Sequence, residues 1–164
     1  MKKVGIIMGS DSDLPVLEKA IAVLQSFGVP HEVHVYSAHR TAEEARSFAR
    51  GAASAGFGVL IAAAGMAAHL AGALAANTVL PVIGIPCSSA AFNGMDALLS
   101  TVMMPSGIPV ATVAVDGGVN AALLSVQILA LSEPELTKKL TEKREQDAKK
   151  VLEKDKAIFE KYNH

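Results

Sequence analysis

Between Arg50 and Glu133 the chain carries no lysine or arginine, and its only carboxylates there are Asp96 and Asp116. A helix on the surface of a soluble monomer needs a polar face, and this stretch cannot supply one. Two solutions are open: a membrane interior, or burial against other protein. The longest uncharged piece includes FGVLIAAAGMAAHLAGALAANTVLPVIGIP, long enough to be weighed as a membrane span. Its weakly apolar alanines, its glycines at 58, 65 and 72, its central His69 and its late Pro81 argue against hydrocarbon. The expectation is a soluble protein whose middle helices are covered by other copies, because exposed apolar patches of this size mark interfaces.

The remaining totals narrow the class. The length, 164 residues, fits one α/β domain over 1–164, with a sheet core at 1–131 and a C-terminal helix at 132–164 that packs on a neighbouring subunit. A net charge of −1 gives no polyanion-seeking surface, and with no Trp, five Phe and two Tyr there is little to stack on bases, so nucleic acid is not an expected partner. A single cysteine, Cys87, excludes an internal disulfide and suits a reducing compartment. MKKVGIIMGSDSD has two lysines and an apolar run too short for a signal peptide. It reads as a first strand, and the protein as cytoplasmic.

Apolar runs of strand length recur along the chain. VGIIMG (4–9), the alternating HEVHVYS (31–37) with Val33 and Val35 on one face, GVLIAAAG (58–65), PVIGIP (81–86) and IPVATVAV (108–115) are strand candidates, the last three of the buried parallel kind. Helical segments separate them. Leu14, Leu17, Ile21, Leu24 and Phe27 recur at helical spacing and Gly28 is a natural stop. Thr41-Ala-Glu-Glu44 and Ser132-Glu-Pro-Glu135 read as capping boxes. Residues 67–77 and 118–131 read as alanine-rich helices, and Gly117-Gly118 as the pair that admits the second of these. The second capping box opens a long charged helix whose interrupted stripe is Leu136, Leu140, Ala148, Val151, Leu152, Ile158, Phe159 and Tyr162.

Strands alternating with helices imply a three-layer αβα, flavodoxin-like doubly wound parallel sheet of about five strands. Ligands of such sheets bind beyond the carboxyl ends of the strands. The segments expected there are Gly9–Asp13, Ser37–Arg40, Ala64–His69 and Cys87–Ser89.

Gly9-Ser-Asp-Ser-Asp13 offers backbone N–H groups and two serine hydroxyls to an anion. It lacks both the G-x-G-x-x-G dinucleotide pattern and a P-loop lysine, so a small phosphate monoester suits it better than a dinucleotide or triphosphate. Asp13 suits ribose hydroxyls; the plainer alternative is that Ser12 or Asp13 caps the helix. Arg40 can grip phosphate or carboxylate with a forked pair of bonds, or can form a surface ion pair with Glu43 or Glu44. His39 can take and give a proton near neutrality, or can be a structural loop histidine. His69, in a Gly/Ala stretch, reads first as a semi-buried histidine capping a turn. The five histidines have no ligand spacing with Cys87 or paired carboxylates, so no metal site is expected. The residues by themselves describe a site for a phosphorylated sugar derivative, with one proton-transfer histidine, no metal and no redox cofactor.

MGSDSD, SAHRT, AAGMAAHL, NGMDALLSTVMMPSGIPVATVAV and NAALLSVQIL, in that order and spacing, resemble the N5-carboxyaminoimidazole ribonucleotide mutase family (PurE) of purine biosynthesis, from about residue 3 to about residue 131. The resemblance implies transfer of a carboxyl group from the exocyclic nitrogen of N5-carboxyaminoimidazole ribonucleotide to C4 of its ring, without metal or organic cofactor. It implies that His39 is the proton-transfer group. Ser10, Ser12, Ser37 and Arg40 match phosphate-side positions, Asp13 a ribose contact and His69 the family's loop histidine; Gly9, Ala38, Ala64 and Gly65 complete the substrate-binding set. It also implies an octamer, in keeping with the uncharged middle of the chain. The chain departs from the common pattern at Met66, where many members have glycine, at Ala71, where proline is common, and at Ala42, where proline often follows SAHRT. A related branch that carboxylates aminoimidazole ribonucleotide with free carbon dioxide carries SAHKT, so Arg40 favours the mutase. A non-catalytic flavodoxin-like nucleotide- or flavin-binding module is the third reading; these loops lack the aromatic pair that flanks a flavin.

Overall fold

The computed structural model describes residues 1–163. Five strands, β1 (Lys3–Met8), β2 (His31–Val35), β3 (Phe57–Gly65), β4 (Val82–Cys87) and β5 (Ala111–Thr112), form one parallel sheet in the order β2-β1-β3-β4-β5. The helices are α1 (Leu14–Phe27), α2 (Ala42–Ala52), α3 (Leu70–Ala75), α4 (Met95–Val102), α5 (Gly118–Ala130) and α6 (Pro134–Tyr162). The result is the expected doubly wound three-layer fold. The chain steps outward from β1 to β2, then returns to β3 on β1's other side, so the carboxyl ends of β1 and β3 flank the switch point where such folds bind ligands.

Burial explains the register. β3 is buried from Phe57 through Ala63, β4 along its whole length and β1 from Val4 to Met8, which is why these runs are apolar on both faces. Val4, Ile6, Val59, Ile61, Ile83 and Ile85 meet α1 and α5 on one side, and Leu136 of α6 joins that core. Ile7, Leu60, Ala62 and Val82 meet α2 and α3 on the other. Gly28 ends α1 at φ 72°, the left-handed conformation that glycine adopts without a Cβ penalty. At Gly118 the first turn of α5 passes so close to α1 that a Cβ would fall 2.3 Å from the Val16 carbonyl oxygen.

Several sequence expectations are corrected. The strand expected over 108–115 contracts to Ala111–Thr112; Pro105 and Pro109 lack N–H donors, and only Val113 and Asp116 continue to bond beside β4. The helix expected from residue 67 begins at Leu70, because the Ala68 N–H bonds back to Met66 O at 2.9 Å and the His69 N–H to Ala67 O at 2.8 Å, winding Gly65–His69 into tight turns. Neither capping box forms. The Thr41 hydroxyl turns back to Ser37, accepting from its N–H at 2.8 Å and donating to its carbonyl at 3.3 Å. The Ser132 hydroxyl donates to Leu129 O and so finishes α5, while α6 starts behind Glu133. Val33 and Val35 share a face, but on an edge strand, where both stay more than one-third exposed. Helix α4 has no counterpart among the sequence expectations. Along α6, Leu136 is buried and Leu140 packs on the core, whereas Val151, Leu152, Ile158, Phe159 and Tyr162 stand in solvent. No helix is long and apolar enough to cross a membrane among the described residues.

Candidate active site

The loops that leave β1, β2, β3 and β4 at their carboxyl ends enclose a cavity of about 480 Å³. Gly9, Ser10, Ser12 and Asp13 border it from the first loop; Ser37, Ala38, His39 and Arg40 from the second; Ala64, Gly65 and His69 from the third. The structure thus brings every residue of the expected catalytic and substrate-binding set to one cavity, while Cys87, expected at the same edge, does not border it. Met66, Ala67, Leu70, Ser88 and Ser89 also border it. A larger cavity, about 1000 Å³, lies at the opposite edge around the amino ends of β4 and β5. Arg50 is its only ionisable lining residue, so the smaller cavity is the one equipped for proton chemistry.

Ser10 is extended (φ −150°, ψ 152°) and its hydroxyl caps the 3-10 turn Asp11–Asp13, accepting from the Ser12 N–H at 3.4 Å and from the Ser12 hydroxyl at 3.0 Å. Asp13 makes no cap bond to α1, so neither Ser12 nor Asp13 serves as the helix cap and both side chains remain at the cavity. The Ser37 hydroxyl accepts from the N–H groups of His39 and Arg40 at 3.3 and 3.2 Å, which folds the SAHR loop tightly. Arg40 Nη2 donates to Gly9 O at 3.3 Å, tying the second loop to the first. Glu43 pairs with Arg46 at 3.0 Å instead, which leaves the Arg40 guanidinium to the cavity side.

His39 and His69 meet there. His39 Nε2 lies 2.9 Å from His69 Nδ1, with the rings edge-on at 76° and centroids 5.0 Å apart. One of these nitrogens carries the hydrogen and the other accepts it. His69 stands at the start of α3 but makes no cap bond; its ring serves the cavity. This pairing spans 30 residues of sequence and had no local sequence signal.

The wall beside β4 is acidic. Burial is the largest influence on Asp13 and raises its carboxyl above the ordinary value; the Ser10 N–H and the Cys87 thiol pull it down, and the Asp116 charge pushes it up again. Burial also drives the Cys87 thiol up to about 12, with the charges of Asp13 and Asp116 adding to the effect, so Cys87 is no nucleophile. Asp116 accepts from the Ser88 N–H at 2.9 Å and from its hydroxyl at 2.7 Å, clamping the loop after β4. Next to it, Ser89 Oγ is buried without a partner among the described residues. Asp116, 28 residues from Ser88, is a contributor that sequence reading missed. The site thus offers N–H and hydroxyl donors with a guanidinium at one end, an imidazole pair at its centre, and a wall of Ala64, Gly65, Ala67 and Leu70 that presents no hydrogen-bonding side chain. No group of three or more His, Cys, Asp or Glu side chains gathers for a metal among the described residues.

The chain is similar to known proteins in sequence and in fold. The family model described as AIR carboxylase matches residues 3–150. A protein of Pyrococcus horikoshii named N5-carboxyaminoimidazole ribonucleotide mutase is 55% identical over 157 residues, covering 96% of this chain and 89% of its own. One of the same name from Thermotoga maritima is 48% identical over 154 residues, covering 94% and 90%. The crystal structure of Treponema denticola PurE superposes with a TM-score of 0.85 at 32% identity, covering 94% of this chain and 97% of that one.

Proposed function

The chain belongs to the AIR carboxylase family, and from that membership we propose that it is an N5-carboxyaminoimidazole ribonucleotide mutase, an isomerase of purine biosynthesis. It moves the carboxyl group from the exocyclic nitrogen to C4 of the imidazole ring, giving 4-carboxy-5-aminoimidazole ribonucleotide. The observation that carries this reading is the position of His39, between an anion-binding end and an apolar loop, in hydrogen-bond contact with His69.

Each residue takes a role from its chemistry. The N–H and hydroxyl groups of Gly9–Ser12, with Arg40, hold the phosphate. Ser37 keeps the SAHR loop in shape, and Asp13 accepts from the ribose hydroxyls. Ala38, Ala64 and Gly65 leave room for the heterocycle. His39 as imidazolium gives its proton to the carbamate nitrogen; the C–N bond breaks, its electron pair stays on nitrogen, and carbon dioxide is released within the site. C4 then attacks that carbon dioxide, and the C4 proton returns to His39, so one group serves as acid and then as base. His69 orients His39 between these steps. The scheme needs no metal or organic cofactor, but it needs carbon dioxide to stay where it is made.

The protein works as a homo-oligomer, an octamer by the family resemblance, in the cytoplasm; its partner is the small ribonucleotide, with no role for nucleic acid or membrane. The C-terminal helix packs on a neighbouring subunit. The deciding assay supplies N5-carboxyaminoimidazole ribonucleotide without bicarbonate or nucleotide triphosphate. Stoichiometric formation of the C4 carboxylate supports the mutase. Product formed only from aminoimidazole ribonucleotide plus bicarbonate assigns the direct carboxylase instead.

A further inference from the structure

We infer that Met66 is the side chain that retains carbon dioxide in the site, a positioning element for carboxyl transfer that rests on the mutase reading above. Among the described residues, three that are not glycine have positive φ: Met66 at 55°, Asn93 at 50° and Asp116 at 56°. Asn and Asp tolerate this region because their short polar side chains bond locally; methionine has no such relief, and the conformation is strained for it. The strain sits in the tight-turned loop that carries His69 to His39. Strain held at a cavity wall points to a role for the residue that bears it.

The surroundings say which role. Met66 borders the cavity and is 64% exposed, at the mouth. Leu70, the other long apolar residue of the lining, is only 1% exposed and forms the floor. The rest of the apolar wall is alanine and glycine. Met66 is therefore the one long, flexible, apolar side chain able to fold over the opening. Carbon dioxide is small and uncharged and offers little for hydrogen bonds to hold. Its escape is slowed by covering the exit with apolar atoms, which also keeps water from entering. Glycine would relax the backbone at residue 66 but leave the exit open.

The test follows the carboxyl carbon. The full-length protein is given 4-carboxy-5-aminoimidazole ribonucleotide labelled with carbon-13 in its carboxyl group, in unlabelled bicarbonate buffer. The N5 and C4 isomers interconvert while escape of labelled carbon dioxide is followed as loss of label. The wild type keeps its label through many interconversions. Met66→Ala, which removes the side chain but leaves the strained backbone, and Met66→Gly, which removes both, each lose label several-fold faster per interconversion; Met66→Leu restores retention. Label kept by the Ala and Gly variants as well as by the wild type overturns the inference. A wild type that does not interconvert the isomers defeats the mutase reading and this inference with it, whereas ordinary interconversion with unaltered retention in the variants defeats this inference alone.

Discussion

The bond between His39 Nε2 and His69 Nδ1 makes the two imidazoles unequal, one donor and one acceptor, and in the proposed mechanism His39 moves the proton while His69 holds it in place. His39→Asn keeps a polar side chain of similar reach but cannot ferry a proton. Turnover is abolished while the affinity for the ribonucleotide, measured by calorimetry, changes by less than ~10-fold. A variant that still turns over near the wild-type rate removes His39 from catalysis. Asp13 makes a different prediction, on stability. Burial raises its folded-state pKa above the ordinary 3.8, so between those values the native state binds more protons than the unfolded chain. Stability falls as pH rises through that window, and the full penalty of the buried charge remains at neutral pH. Asp13→Asn removes the penalty. Its melting temperature exceeds the wild type's at neutral pH, and the gap closes in strongly acidic buffer, where the wild-type carboxyl is protonated. The same variant binds ribonucleotide less tightly. Equal melting temperatures at both extremes contradict the assignment.

Elements differ in how openly the sequence declares them. β1, β3 and β4 are buried on both faces, and their unbroken apolar runs are visible in the chain. So are α1, with its apolar spacing and Gly28 stop, and the four strand-end loops, because the topology rule for parallel sheets converts strand ends into a site. Helix α4 was invisible for a physical reason: it buries the small residues Ala97 and Thr101 and exposes Met95, Leu99 and Val102, the reverse of the pattern that periodicity reading expects. The capping boxes failed because the Thr41 oxygen accepts from the Ser37 N–H instead of from its own helix, and because Ser132 finishes α5 by donating to Leu129 O while α6 starts only after Glu133. The His39–His69 and Ser88–Asp116 contacts depend on how distant loops meet and leave no mark on local spacing. Gly118 supplies a test at this scale. Alanine in a helix is favoured over glycine by about 1 kcal/mol at most, but here its Cβ would lie 2.3 Å from the Val16 carbonyl, a backbone atom that cannot swing away. Overpacking of this kind costs about 1–3 kcal/mol, so the clash wins. Gly118→Ala lowers the denaturant midpoint; a raised midpoint shows that α5 slides freely against α1.

For the molecule as a whole, the inverted burial of α4 and the missing charges between Arg50 and Glu133 are one fact seen twice. Phe92, Met95, Leu99, Val102 and Met103 are each between 46% and 77% exposed and stand close together along and beside α4. A protomer alone would leave this apolar surface in water, where burying the part of each side chain still exposed is worth roughly 1–2 kcal/mol. Covering it with further copies would remove that penalty and would account for the scarcity of charges in the stretch. Light scattering at micromolar concentration therefore finds an assembly, and a monomer-sized particle refutes the covered-face reading. Leu99→Glu separates assembly from folding. Leu99 is 53% exposed in the protomer, so the carboxylate stays solvated there and the fold survives. In an assembled interface the same carboxylate would be buried without a partner, at a cost of several kcal/mol. The variant keeps its far-ultraviolet circular dichroism but shifts to smaller particles. If it remains fully assembled, α4 faces solvent and another surface must do the covering.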